Sequence, residues 1–261
     1  MITMAKVLVQ SGQFRGLSKQ SLRNVLMHSP TVIWVQNGMK QLWWRESALK
    51  YTSAEWLMIP ACQYLTFVNV PEQAAFHSKT LTFFEAPPQE WVRESMAGAA
   101  SQAQEPRATV TEQLAYCFDI LFAMQEKHFS LETQRQFLYA FYAELRHAGI
   151  LHLLFPGEPQ TLWERVSRYL SANPGDEHKV ELVAEHLSMS RATLIRKLSA
   201  EGTSFRKVLA EVRMGYALTL LQQSPNQLDV AMACGYQSEA RFSARFKQQF
   251  GLTPTQYRKT L

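Results

Sequence analysis

The sequence predicts an α+β chain, with a strand-rich first part and an all-helical last part. Three observations carry this. Short β-prone runs ending on prolines crowd the region before residue 90, apolar residues repeat at helical spacing from residue 109, and two short basic helices with serine caps lie near the end. Charge divides the chain in the same place. Residues 160–261 hold 14 Lys or Arg against 9 Asp or Glu, so the whole formal excess of +5 sits there and the remainder is balanced.

The first part reads as a small antiparallel sandwich or barrel. Val32-Ile33-Trp34-Val35 and Leu42-Trp43-Trp44 flank Asn37-Gly38, the strongest short hairpin signal, because a type I′ turn needs positive φ at both central residues. Further β-like pieces run over residues 56–59, ended by Pro60, over 64–70, ended by Pro71, and over 81–84, ended before Pro87-Pro88. The period then changes. Thr109 and Glu112 form a candidate capping box for a helix with Leu114, Cys117, Phe118, Leu121 and Met124 inward, and a second helix covers residues 131–145. The turn chemistry of Phe155-Pro156-Gly157-Glu158-Pro159 marks a linker over residues 156–160, dividing a domain of residues 1–155 from one of residues 161–261.

In the last part each basic helix follows a shorter apolar one. Val180, Val183, Ala184 and Leu187 precede a turn at Ser188-Met189; Ser190 then caps a helix with Leu194 and Leu198 inward and Arg191, Arg196 and Lys197 outward. Downstream, Leu228, Val230, Ala231 and Cys234 precede a turn at Gly235. There Ser238 caps a helix with Phe242, Phe246 and Phe250 on one face, Arg241, Arg245 and Lys247 off it, and Gly251 at its end. A short helix, a tight turn and a basic helix make a helix-turn-helix, and the chain carries two. Between them a proline-free run from Ser204 to Pro225 predicts a strut of about 27 Å at 1.5 Å per residue.

These residues resemble the AraC/XylS family of bacterial transcriptional regulators. The pattern is carried by Ala184, Met189-Ser190 and Leu194, by Gly202, Arg213 and Ala217, by Ala231 and Gly235-Tyr236, and by Phe242-Ser243-x-Arg245-Phe246-Lys247-x-x-Phe250-Gly251-x-x-Pro254-x-x-Tyr257-Arg258. The resemblance implies a seven-helix domain that sets two recognition helices into successive major-groove faces of double-stranded promoter DNA, with RNA polymerase as a further partner. It implies base and phosphate readers at Arg191, Ala192, Ile195 and Arg196 in the first unit, and at Gln237, Glu239, Ala240, Arg241 and Arg245 in the second. Arg196 and Arg241 suit bidentate contact with guanine, Ala192 and Ala240 suit a thymine methyl, and Arg245 is open to an internal pairing.

For the first part the resemblance implies a cupin-like β-barrel with dimerisation helices, and a homodimer through residues 109–150. Those helices equally well serve only to close the barrel core. A small apolar or fatty-acid effector is the implied ligand, with Trp34, Trp43, Tyr51, Trp56, Tyr64 and Phe67 as cavity candidates. The same aromatics also fit an ordinary core. Lys19, Arg15 and Lys40 are the basic candidates for the effector's carboxylate.

Other chemistry finds little support. His28 and His77 stand apart without the spacing of a metal site, and no nucleophile elbow, phosphate loop or dinucleotide fingerprint occurs, so neither catalytic residues nor cofactor nor metal are expected. Cys62, Cys117 and Cys234 are far apart, as suits buried thiols in a reducing cytoplasm, and the brief Val7-Leu8-Val9 run is too short for a secretion signal. The expected function is sequence-specific transcriptional regulation, in the activating sense. The alternatives are a regulator whose first domain docks a protein and a cupin-type enzyme with a DNA-binding tail.

Overall fold

A computed structural model describes residues 7–97, 105–124, 126–127, 129–157, 161–224 and 226–261. Its strands in chain order are β1 (Val9–Gly16), β2 (Gln20–Met27), β3 (Thr31–Asn37), β4 (Met39–Trp44), β5 (Ser47–Tyr51), β6 (Glu55–Ile59), β7 (Gln63–Val70), β8 (Phe76–Phe83) and β9 (Arg107–Thr109). They make two antiparallel sheets, β1-β8-β3-β6-β9 and β2-β7-β4-β5. The strand-rich class is as expected, but the expected barrel is not closed: no ladder joins the two sheets among the described residues.

The Asn37-Gly38 hairpin does not form. β3 pairs with β6 and β8, β4 with β5 and β7, and the single residue between them turns the chain from one sheet into the other. Only Gly38 takes positive φ, at 81°, where a Cβ would meet the Val70 carbonyl oxygen at 2.6 Å. Asn37 instead donates through Nδ2 to the carbonyls of Glu72 and Ala75, at 3.3 and 2.7 Å. An Asn-Gly pair can thus serve a corner between sheets as well as a hairpin.

The first helices are α1 (Gln89–Ala97), α2 (Glu112–Met124), α3 (Leu131–His147) and α4 (Leu151–Leu154). Thr109 does not cap α2, because it is still extended in β9 opposite Glu55. Thr111 does so, its Oγ1 accepting from the Leu114 amide at 3.3 Å. Of the expected linker, residues 158–160 lie outside the described residues. Seven helices follow: α5 (Leu162–Ser171), α6 (Val180–His186), α7 (Arg191–Ala200), α8 (Phe205–Gln223), α9 (Gln227–Ala233), α10 (Glu239–Phe250) and α11 (Pro254–Arg258).

Three apolar clusters hold these elements. On the outer face of the five-stranded sheet Val32, Trp56, Met58, Leu81 and Phe83 pack under α1 to α4. Leu162, Val166, Val183, Leu194 and Leu198 close on the first half of α8 through Val208 and Val212. The third cluster is continuous from the space between the sheets, with Leu22, Leu42 and Phe67, to the second half of α8, α9, α10 and Tyr257. α8 therefore belongs to two cores. Phe246 is fully buried in the shared one, and Phe246→Ala should lower unfolding free energy by about 3–5 kcal/mol in urea titration, through lost contacts and the cavity left behind.

Candidate nucleic-acid interface and its adjoining cavity

The two helix-turn-helix units repeat one backbone device. In the first, Ser188 takes φ 56° after α6 and the Met189 amide reaches back to the Ala184 carbonyl at 2.9 Å; in the second, Gly235 takes φ 75° after α9 and the Tyr236 amide reaches Ala231 at 2.9 Å. Each turn leads into a capping serine. Ser190 Oγ accepts from the Thr193 amide at 3.1 Å and Ser238 Oγ from the Arg241 amide at 3.4 Å, which starts α7 and α10 at equivalent points. Counted from those caps, Leu194 and Leu198 correspond to the buried Phe242 and Phe246. A β-carbon is present in the first turn, at Ser188, whereas in the second it would lie 2.5 Å from Arg213 Nη2 and push the guanidinium aside.

Arg213, on the buried middle of α8, fixes one unit to the other. Its Nε donates to the Pro174 carbonyl at 3.1 Å, Nη2 to Asp176 at 2.9 Å and Nη1 to Gly235 at 3.3 Å, so one guanidinium ties the loop after α5 to the turn before α10. Gly175 in that loop leaves no room for a Cβ against the Ala233 carbonyl, which closes the same seam.

The structure sorts the sequence-derived readers. Ala192, Ile195 and Arg196 lie exposed on α7; Ala240 and Arg241 lie exposed on α10, with Gln237 exposed just ahead of its cap. Arg196 and Arg241 make no side-chain hydrogen bond or ion pair among the described residues. Three others are engaged. Arg191 Nε pairs with Glu181 Oε1 at 2.9 Å, Glu239 Oε1 accepts from Gln227 Nε2 at 2.7 Å, and Arg245 turns half inward, donating to Gln248 Oε1 at 2.9 Å. In both units, then, the first residue of the basic helix is braced to the helix before it.

Comparison with known proteins bears on this arrangement. A family model described as a helix-turn-helix domain matches residues 183–260. The urease operon transcriptional activator of Escherichia coli is 35% identical over 118 residues, which cover 45% of this chain and 34% of that protein. The porin thermoregulatory protein EnvY of Escherichia coli K12 is 36% identical over 95 residues, covering 36% and 38%. Residues 183–260 thus belong to a helix-turn-helix domain. The matched stretch spans little more than a third of those relatives. A crystal structure of ToxT from Vibrio cholerae O395 covers 98% of this chain and 99% of its own, with a TM-score of 0.59 at 15% identity, so the two share a fold over their whole length.

Between the sheets and the helical domain lies a cavity of about 1080 Å³. Its walls are apolar at Phe14, Leu22, Ile33 and Phe67, and polar at Lys40, Asn69, Ser78 and Thr80, while the far end is closed by α5, α8 and the Arg213-bound loop. Lys40 is 3% exposed, its Nζ lies 3.6 Å above the Phe67 ring, and its one hydrogen bond is to Asn69 Oδ1 at 2.5 Å. No carboxylate pairs with it among the described residues. Burial pushes the ammonium down to about 7. His28, on the same wall, is held neutral by burial, with its pKa down to about 4.

Lys40 heads a chain of bonds that leaves the cavity. Asn69 stands opposite both Lys40 and Gln20 across the ladders; its Nδ2 donates to Gln20 Oε1 at 2.9 Å, and Gln20 Nε2 donates to Thr260 Oγ1 at 3.0 Å. Thr260 Oγ1 in turn donates to the Tyr257 carbonyl at the end of α11. Since an ammonium only donates, every amide along the line is oriented by it. Nearby contacts add to the junction. Gln222 exchanges two bonds with the Arg15 backbone at 3.0 and 3.2 Å, Gln249 donates to the carbonyl of Asn24 in the β2 bulge at 2.7 Å, and Tyr64 OH donates to Glu211 at 2.7 Å.

Of the aromatic candidates for the cavity, Phe67 alone lines it. Trp34 and Trp56 face each other across the β3–β6 ladder on the opposite side of the sheet, against Phe118. Tyr51 is buried in the shared core, Trp43 is exposed, Tyr64 is at the junction, and Lys19 is absent from the lining. Both faces of the five-stranded sheet are buried, so alternation could not say which face met the cavity. The polar lining was legible in part: Lys40 shares the parity of Leu42 along β4, which marks an inward-pointing lysine.

Arg213→Ala removes three charge-assisted bonds at once and should destabilise the chain by about 1.5–3 kcal/mol in thermal or urea unfolding. Arg213→Lys should recover only part of that, because one ammonium cannot span three divergent carbonyls.

Proposed function

We propose that this chain is a sequence-specific transcriptional regulator that binds double-stranded promoter DNA through α7 and α10 of its AraC-type domain. The observation that carries the proposal is the pair of equivalently capped basic helices, with Arg213 tying the loop ahead of the first unit to the turn of the second, in the part of the chain that holds the whole charge excess. Residues 161–261 act on DNA and residues 1–155 control them. Activation through RNA polymerase and a homodimer through residues 109–150 belong to the same proposal, supported for the dimer by the strongly exposed Tyr116 on α2. No helix among the described residues is long and apolar enough to cross a membrane. A cytoplasmic location belongs to the same proposal, supported by the DNA partner it names.

The test is binding of the full chain to a duplex selected from a random library. Affinity should fall steeply with salt, as expected when several phosphates are neutralised. Arg196→Ala and Arg241→Ala should each cost about 1–3 kcal/mol and relax preference at one base pair; equal weakening on all sequences would make them phosphate contacts instead. Absence of any selected sequence would overturn the proposal.

The effector of this reading is an acid with an apolar body, its carboxylate at Lys40. One ToxT structure carries a bound unsaturated fatty acid. Here the apolar walls, the unpaired buried ammonium and the bond line from Lys40 to Thr260 support an equivalent ligand and a route by which it acts on the helical part. Between pH about 7 and 10.5 the unfolded chain holds the lysine proton that the folded chain has released, so this group makes stability rise with pH across that window. An anion held at the ammonium needs that proton, and its affinity should fall as pH rises through about 7. Melting temperature measured with and without oleate from pH 6 to 9 checks both. Lys40→Met should be more stable than the parent at pH 6, flatter with pH and insensitive to oleate, whereas an undiminished oleate response in the variant would place the ligand elsewhere.

A further inference from the structure

Ile195 is 43% exposed on α7 and contributes to none of the three apolar clusters. Its counterpart five residues past the cap in α10 is Ser243, whose Oγ accepts from Gln227 Nε2 at 3.1 Å. The second unit thus uses this position to brace its two helices. The first unit places there a branched hydrocarbon that can form no hydrogen bond.

Ala192, also exposed, precedes Ile195 by three residues and lies beside it on the helix surface, so the two make a small apolar stripe in the first two turns of α7. Cations flank the stripe: Arg196 and Lys197 are exposed, and Arg191 is drawn back onto Glu181, which leaves the stripe uncovered on that side. A helix that enters the major groove turns the side chains near its N-terminus to the base edges. Among the groups on the major-groove edges of the base pairs, the thymine C5-methyl is the one alkyl group. An isoleucine set over a donor or acceptor leaves that group without its water partner, whereas a thymine methyl gives it a matching apolar contact.

We propose that Ile195 is a specificity-determining residue that reads the 5-methyl group of a thymine in the half-site of the first helix-turn-helix unit, with Ala192 allowing the close approach. This rests on the DNA-binding reading above and adds a chemical requirement to it: a pyrimidine 5-methyl at one position. Arg196, next along the helix, then supplies the polar contact to the neighbouring base pair.

The test uses the full chain and a duplex selected with it from a random library. Each thymine is replaced in turn by deoxyuridine, which removes the methyl and leaves every hydrogen-bonding group in place. One replacement should weaken the parent about fourfold, the effect of about one buried methyl. Ile195→Ala should bind the thymine and uracil duplexes alike, and Ile195→Val, which keeps a branched apolar surface, should keep most of the discrimination. Because Ile195 is exposed, both variants should retain the parent's circular dichroism and melting temperature. If no deoxyuridine replacement weakens the parent, or if Ile195→Ala loses affinity while still discriminating thymine from uracil, the inference falls and the DNA-binding reading stands. If the parent selects no sequence at all, both fall.

Discussion

The seam between the loop ahead of the first helix-turn-helix unit and the turn of the second is held by Arg213. A single guanidinium satisfies carbonyls from the loop after α5 and from the turn before α10, and it does so from the middle of α8, the one helix that both cores share. Planar geometry matters here, since diverging N–H groups meet acceptors that arrive from two segments far apart in sequence. The constraint reaches the backbone as well. A β-carbon at Gly235 would displace the guanidinium from its bonds, whereas the first unit carries Ser188 in the same conformation.

The strand-rich part is coupled to the second basic helix by shared packing. Phenylalanines of α10 and apolar residues of α8 are buried in one continuous cluster with the inner faces of the sheets, so the second basic helix owes part of its burial to strands far upstream. The cavity opens beside that cluster and extends to the loop that Arg213 holds. Sheet interior, α8 and the Arg213-bound loop all contribute to its lining. A population shift requires differential contact of this kind with the elements that move.

Polar groups in the cavity wall are as informative as its apolar ones. An ammonium with one hydrogen bond and no carboxylate, nearly removed from water, is held at a free-energy disadvantage that an anion would relieve. Lys40 also sets the direction of the bonds through Asn69 and Gln20 to Thr260, which makes the end of the chain sensitive to what the cation is paired with.

Much of the helical part was legible in the sequence because its signals are local. Ser190, Ser204 and Ser238 cap the helices where the hydroxyl-before-apolar pattern places them, Gly251 ends α10 at φ 89°, and the buried residues of α7 and α10 follow a four-residue spacing that needs no tertiary information. Strand runs at 56–59 and 64–70 were legible for the same reason. β1 and β2 were not, since their mixed polar sequences become strands only by pairing with β8 and β7. Pairing itself was beyond the sequence: Asn37-Gly38 carries a hairpin's turn residues, yet neighbouring strands claimed both of its flanks. Which face of a doubly buried sheet looks into the cavity was likewise a tertiary matter, and it moved Trp34 and Trp56 out of the candidate site and Asn69, Ser78 and Thr80 into it. By itself the sequence determined caps, helical periods and the basic character of two helices, all short-range properties of the chain. Only the tertiary structure decided strand partners, the lining of the cavity and which of the basic-helix side chains remain unbraced, because each depends on residues far apart in sequence meeting across a packed interior.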